Sequence, residues 1–155
     1  MTTSLEIHDM AGHLIRRLQQ ISASVFAERV GAAGFDVTPV QYAALVAIAA
    51  NPGIDQATLA GLIAYDRVTI GGVLDRLEQK AMILRQTSSR DRRARILHMT
   101  SDGEAALAKL TPVVKSAQRE ILTGLDDNER ETLLALLKKT TQAGNELSRA
   151  PLKTA

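Results

Sequence analysis

Residues 54–103 read IDQATLAGLIAYDRVTIGGVLDRLEQKAMILRQTSSRDRRARILHMTSDG, and this stretch decides the fold. Asp55 is placed to cap a short helix carrying Leu59, Leu62 and Ile63 on one side, a pattern that breaks at Ala64-Tyr65. Asp66 is placed to cap a second helix, where Ile70 or Val73, Leu74 and Leu77 recur at three- and four-residue spacing. Two helices joined by so short a turn predict a helix-turn-helix. Ile83–Thr87 and Arg95–Met99 alternate and are rich in branched residues, which predicts two strands. Between them lies Ser88-Ser89-Arg90-Asp91-Arg92-Arg93-Ala94.

From Arg85 to Arg95 there are five arginines and one aspartate, a local charge of +4, while the whole chain carries +2. The rest of the chain is therefore net negative, and the positive charge is concentrated at one hairpin. A hairpin tip cannot bury that much charge without partners, so it is expected to project into solvent. Arginines on such a tip suit phosphates and a narrow minor groove. The bland alternative is a solvated loop with no partner.

In the order LAGLIAYDRVTIGGVLDRLEQKAMILR, then DRRARILHMTSDG, the sequence resembles the winged helix-turn-helix of the MarR family of bacterial regulators. The D-R-L-E segment, the D-R-R-A-R wing and the T-x-x-G helix start carry the resemblance in combination, and the flanking helices fit the family's layout. Two positions depart from it. Ala81 stands where the family usually has glycine after the recognition helix, a place where left-handed backbone favours glycine. Ser88-Ser89 replaces a common Asp-Pro at the base of the wing. The resemblance implies a mainly α fold, six helices plus a two- or three-stranded wing, in one domain over 1–155. It places the winged module at 36–103 and dimerisation helices at 9–34 and 101–149.

Length and composition agree with one ordinary domain. Hydrophobic residues at 45% supply a core, and charged residues at 23% argue against wholesale disorder. With aromatics at 3% and no Trp, a base-stacking single-strand binder is disfavoured. Cysteine is absent, which excludes disulfides and thiol-based sensing and fits a reducing compartment. No run reaches the length of a membrane span and no signal peptide is evident, so a cytoplasmic protein is expected. His8, His13 and His98 share no metal-ligand spacing, and neither a metal nor a cofactor is expected. No nucleophile stands with a base and no phosphate-binding glycine loop occurs, so an enzyme is not expected. Gly71-Gly72 inside a helix is better explained by backbone approaching DNA or a packed neighbour, since each glycine costs on the order of 1 kcal/mol.

Outside the central stretch, Asp9, or a capping box at Thr3-Ser4-Leu5-Glu6, is expected to start a long helix running to about Val30, with Gly31 and Gly34 ending it. Leu14, Leu18, Ile21 and Val25 form its stripe. Thr38-Pro39-Val40-Gln41 is a helix start, with a threonine cap, proline at the first helical position and glutamine at the third. Ser101 and Glu104 can form a capping box for a helix that Pro112 should kink and Gly124 should close. Asp126 or Asp127 caps a last helix bearing Leu133, Leu134, Leu136, Leu137 and Leu147, and the tail from Pro151 is expected to fray. The stripes of the first and last helices exceed what a compact winged module can cover. The family resemblance implies that they interdigitate with a second copy, and Leu14, Leu18, Leu133, Leu137 and Leu147 are the expected dimer core.

The expected partner is double-stranded DNA carrying a pseudo-palindromic operator. Arg67, Thr69 and Arg76 on the recognition helix are candidate contacts, with Arg90, Arg92 and Arg93 on the wing and Arg92 at the tip. Asp91 is expected to organise the arginines. The resemblance further implies a repressor released by a small organic anion, and the segments GHLIRRLQQI, TPVQYAAL and YDRVTIGGVLDRL look most like members that control aromatic-acid catabolism. Arg16 and Arg17 point about 100° apart on a helix, so at least one can face inward and, with His13 and Gln20, meet a carboxylate. Tyr42, Tyr65 and Arg67 are the remaining candidates for that site. The competing class is a winged-helix protein-interaction module that never meets DNA, or a regulator with no small-molecule effector.

Overall fold

The computed structural model describes residues 5–154. A 3-10 turn, Glu6–Asp9, leads into α1 (Ala11–Ala32), α2 (Pro39–Ala50), β1 (Ile54–Asp55), α3 (Gln56–Leu62) and α4 (Ile70–Gln79). Strands β2 (Ile83–Thr87) and β3 (Arg95–Met99) follow, then α5 (Ser101–Ile121), α6 (Asp127–Ala143) and a 3-10 turn, Asn145–Leu147. The six expected helices are present, and the wing is three-stranded. β1 pairs antiparallel with β3 (Ile54 opposite Leu97), and β2 pairs with β3 from Ile83–Met99 to Thr87–Arg95, giving the order β1-β3-β2.

Two cores hold the chain. Leu45, Ile48, Leu59, Ile70, Leu74, Leu77, Ile83 and Leu97 are fully buried together and make the winged module's interior. Phe26, Val30, Val37, Leu110 and Val114 form a second core where α1 meets α5, fastened at the rim by Arg29 donating to Glu120 at 2.7 Å.

The sequence-local caps form as expected at three helices. Thr38 and Gln41 exchange both bonds of a capping box on α2, Asp55 accepts the Thr58 amide at 2.8 Å, and Asp126 with Glu129 caps α6. Four expectations are corrected. Asp66 accepts the Val68 amide through its side chain and the Ile70 amide through its carbonyl, so it closes a turn in front of α4, which itself begins at Ile70. Asp9 ends the leading 3-10 turn, and α1 starts at Ala11 behind Met10 without a side-chain cap; Thr3 and Ser4 lie outside the described residues. The cap of α5 is Thr100, not Ser101, because its hydroxyl reaches the Gly103 amide at 3.0 Å. α5 then runs through Pro112 as expected and ends at Ile121, before Gly124.

The fourth correction concerns the end of the chain. Leu147 sits beyond α6 in a 3-10 turn, and the tail does not fray. Asn145 holds Leu152 by both its amide and its carbonyl, at 2.8 and 3.0 Å, and the Lys153 amide donates to the Gly61 carbonyl at 2.9 Å. A short polar clamp, with no apolar periodicity to announce it, thus returns the tail to α3.

Ala81 has φ 58, so the position that the family fills with glycine is left-handed here too. A Cβ in that region costs roughly 1–2 kcal/mol, against about 0.4–1 kcal/mol of unfolded-chain entropy saved by alanine. Ala81→Gly should therefore stabilise the protein by about 0.5–1 kcal/mol, read as a rise of a few degrees in a thermal melt.

Candidate nucleic-acid interface

Recognition helix α4 is set by contacts at both ends. At its start, the Asp66 turn presents Arg67, Val68 and Thr69, all exposed, ahead of the fully buried Ile70. At its end, Lys80 reaches the Asp36 carbonyl and, at 3.2 Å, the buried Gln41 side chain, which anchors the helix to the start of α2.

The wing is fastened to the same helix. Arg85 on β2 donates to Asp75 and, at 3.1 Å, to Glu78, both on α4. The hydrogen bond from Arg85 holds the Glu78 carboxyl below the ordinary carboxylate range. This corrects the counting of Arg85 with the hairpin's free charge, since its cation is spent on two carboxylates. Charge at the projecting end comes instead from Arg90, Arg92, Arg93 and Arg95, opposed by Asp91 alone. Among the described residues none of these four arginines makes an ion pair.

The tip geometry explains Asp91. The Ala94 amide donates to the Asp91 carbonyl at 3.0 Å, so Arg92 and Arg93 occupy the centre of a turn. The Asp91 carboxylate accepts the Arg93 backbone amide at 2.9 Å, and the Ser88 hydroxyl accepts the amides of Arg90 and Asp91. Asp91 and Ser88 therefore shape backbone and leave the guanidinium groups in solvent. In place of Asp-Pro, Ser88 builds the wing's base through its hydroxyl.

A cleft of about 670 Å³ separates wing from helix-turn-helix, lined by Arg67, Ile70 and Gln56 on one wall and Asp91, Arg93 and Arg95 on the other. The structure thus brings Arg67 and Arg93 to one concavity. Thr69 and Arg76 line a different groove, of about 300 Å³, with Gly72, Tyr65 and the start of α2. Arg90 and Arg92 stand outside both. Sequence reasoning passed over three positions: Gln56 and Arg95 in the cleft, and Val68 on the turn. The sequence signal for Val68 was limited to an apolar residue between two polar ones, Arg67 and Thr69.

The candidates for an anion site fall in three places within one chain. His13 and Arg16 are together on α1, with Arg16 Nη2 donating to His13 Nδ1 at 3.3 Å. Desolvation, then the positive charge of Arg16, pushes the His13 imidazole below its ordinary range, consistent with its accepting role there. Arg17 and Gln20 are exposed on the same half of the helix. Tyr42 lies at the second core, edge-on to Phe26 with its hydroxyl 3.4 Å from Thr111 Oγ1, and Phe26 is ten residues beyond Arg16, about 15 Å along α1. Tyr65 and Arg67 share a groove with the returning tail.

An apolar groove of about 470 Å³ runs between α1, the end of α5 and α6, lined by Ile15, Leu18, Ile121, Leu122, Leu134 and Leu137. Not one residue of α6 is buried. Leu14 and Leu137 are half-exposed, Leu18 and Leu133 less so, and Leu147 is 92% exposed.

With that geometry in hand, comparison with known proteins is specific. The family model described as MarR family matches residues 37–94. A putative transcriptional regulatory protein for the hcr operon of Thauera aromatica is 39% identical over 140 residues, covering 88% of this chain and 84% of the relative. The PcaV transcriptional regulator of Streptomyces coelicolor, solved in complex with its natural ligand, superposes with a TM-score of 0.81 at 27% identity, over 92% of this chain and 99% of that one. The transcriptional repressor CouR, solved on a 23-mer DNA duplex, superposes with a TM-score of 0.78 at 29% identity, over 90% and 99%.

Proposed function

Since the chain belongs to the MarR family of transcriptional regulators, we propose that it binds operator DNA as a homodimeric repressor and releases it on meeting a small aromatic acid or its thioester. It is a DNA-binding regulator and not an enzyme. The observation that carries the site assignment is the set of four unpaired arginines on the wing, two of which, Arg93 and Arg95, face Arg67 across one cleft. On this reading α4 enters the major groove with Arg67, Thr69 and Arg76, while Arg92, flanked by Arg90 and Arg93, reaches the adjacent minor groove or its phosphates. The DNA-bound CouR supports this reading for the fold and, by its description, repression as the outcome.

The dimer reading is supported by α6. A helix of 17 residues with four leucines and none buried has little packing to stabilise it within one chain. A second copy would cover the groove between α1 and α6, placing the flanking helices at 9–34 and 101–149 in the interface and leaving 36–103 as the reading module.

The effector reading rests on the His13–Arg16 pair, a cation beside an imidazole whose protonation it disfavours, on an exposed helix half, and on the ligand-bound state of PcaV. Tyr42 packs on Phe26, about 15 Å along α1 from Arg16, and Tyr65 with Arg67 lines a separate groove beside the tail, so on this reading the site is completed between protomers. A ligand there releases DNA only if it prefers the geometry that does not fit the operator. The test is a titration of benzoates, hydroxycinnamates and their thioesters against the protein–operator complex. At least one compound should dissociate the wild-type complex, with Arg16→Ala shifting its midpoint about tenfold or more, the scale of one charge-assisted contact. Dissociation by none, with Arg16→Ala unaltered throughout, would leave a regulator without this effector.

A further inference from the structure

Val68 is 90% exposed, the most accessible of the large apolar side chains in the winged module. Its position is fixed: its amide donates to Asp66 Oδ1 at 2.7 Å, and the Thr69 and Ile70 amides close on the Asp66 carbonyl at 3.2 and 3.0 Å. A β-branched side chain on so constrained a backbone holds its methyl groups in few orientations. Three and four residues on, in the first turn of α4, come Gly71 and Gly72. A Cβ on Gly72 would meet nothing within 4 Å, and one on Gly71 would only touch the Gln56 side chain at 3.5 Å. Glycine costs up to roughly fivefold in equilibrium relative to alanine in a helix interior, and a part of that in a first turn. No neighbour in the fold requires either one, in contrast to Gly103, whose surroundings exclude any side chain.

We infer that Val68, Gly71 and Gly72 form a base-reading edge: the bare face lets α4 lie close against the floor of the major groove, and the Val68 methyls pack on a thymine 5-methyl. Thymine alone presents a methyl group there, so an apolar side chain at this place selects it. This rests on the DNA-binding reading above and adds to it the residue and the base that set specificity. Bulk at position 72 would hold the helix off the bases without disturbing the fold.

The test uses duplexes from the DNA upstream of the protein's own gene, with each thymine replaced in turn by deoxyuridine, which removes only the methyl. For the wild-type dimer, one thymine per half-site should lose about fourfold in affinity, the value of one buried methyl. Val68→Ala should weaken binding to the thymine operator and no longer distinguish uracil at that position. Gly72→Ala should melt at a higher temperature yet bind about tenfold more weakly. Undiminished thymine discrimination by Val68→Ala, or Gly72→Ala binding as well as wild type, would overturn the inference while leaving the regulator reading intact. Absence of any salt-dependent binding by the wild-type chain would overturn both.

Discussion

Gly103→Ala should destabilise the protein by about 3 kcal/mol, at the upper end of what overpacking costs. A Cβ at this position would lie 2.0 Å from the Met82 carbonyl oxygen and 2.8 Å from its carbon. Those are backbone atoms, so no rotamer change relieves the contact. The junction is also pinned from both sides: the Thr100 amide donates to the same Met82 carbonyl at 3.1 Å, and the Thr100 hydroxyl donates to the Ala81 carbonyl. Relief requires α5 to lift from the loop between α4 and β2, which loosens the joint between wing and dimer helices. A fall in melting temperature of roughly 6–12 °C is expected at matched protein concentration. A melt within a degree or two of wild type would show that the T-x-x-G start is not held by this close approach.

Leu137→Asp should abolish both dimerisation and DNA binding. Leu137 lines the apolar groove between α1, α5 and α6, and α6 buries none of its residues within one chain. An aspartate there would place an unpaired carboxylate against the second copy's apolar face, a cost of several kcal/mol. Since a two-fold dimer aligns two recognition helices on one operator, its loss should remove specific binding altogether. Sedimentation should show monomer, or the chain should unfold. A folded monomeric variant that still binds operator with wild-type affinity would refute the dimer reading.

Legibility in the sequence tracked how local each determinant was. Thr38-Pro39-Val40-Gln41, Asp55 and Asp126 cap their helices from within three residues, and all three were readable. So was the hydrophobic spacing of Leu74 and Leu77, because burial in the winged core follows helical period. At α5, Thr100 and Ser101 are adjacent hydroxyls of similar capping strength, and the additional bond from Thr100 to Ala81, nineteen residues away, decides between them. Arg85 looked like part of the wing's free charge, because only the fold brings Asp75 and Glu78 within reach of it. The Asn145 clamp was invisible for the same reason: its effect depends on a hydrogen bond from Lys153 to Gly61. For the candidate site, the arginines were legible as a cluster, whereas the exposure of Val68 and the open space at Gly72 required the three-dimensional neighbours.

The most direct test of DNA reading through the wing is the affinity for upstream duplex measured across salt concentration, for wild type and Arg92→Ala. Arg92 stands at the turn centre with no carboxylate partner, so its cation is available to phosphate. Binding to B-form DNA weakens with log salt at a slope of about −0.9 per phosphate neutralised. The wild-type dimer should show a steep slope, and Arg92→Ala, still dimeric, should bind more weakly with the slope flattened by about 1 per wing that contacts phosphate. A shallow wild-type slope, or an unchanged slope in Arg92→Ala, would contradict the assignment of the wing to the DNA backbone.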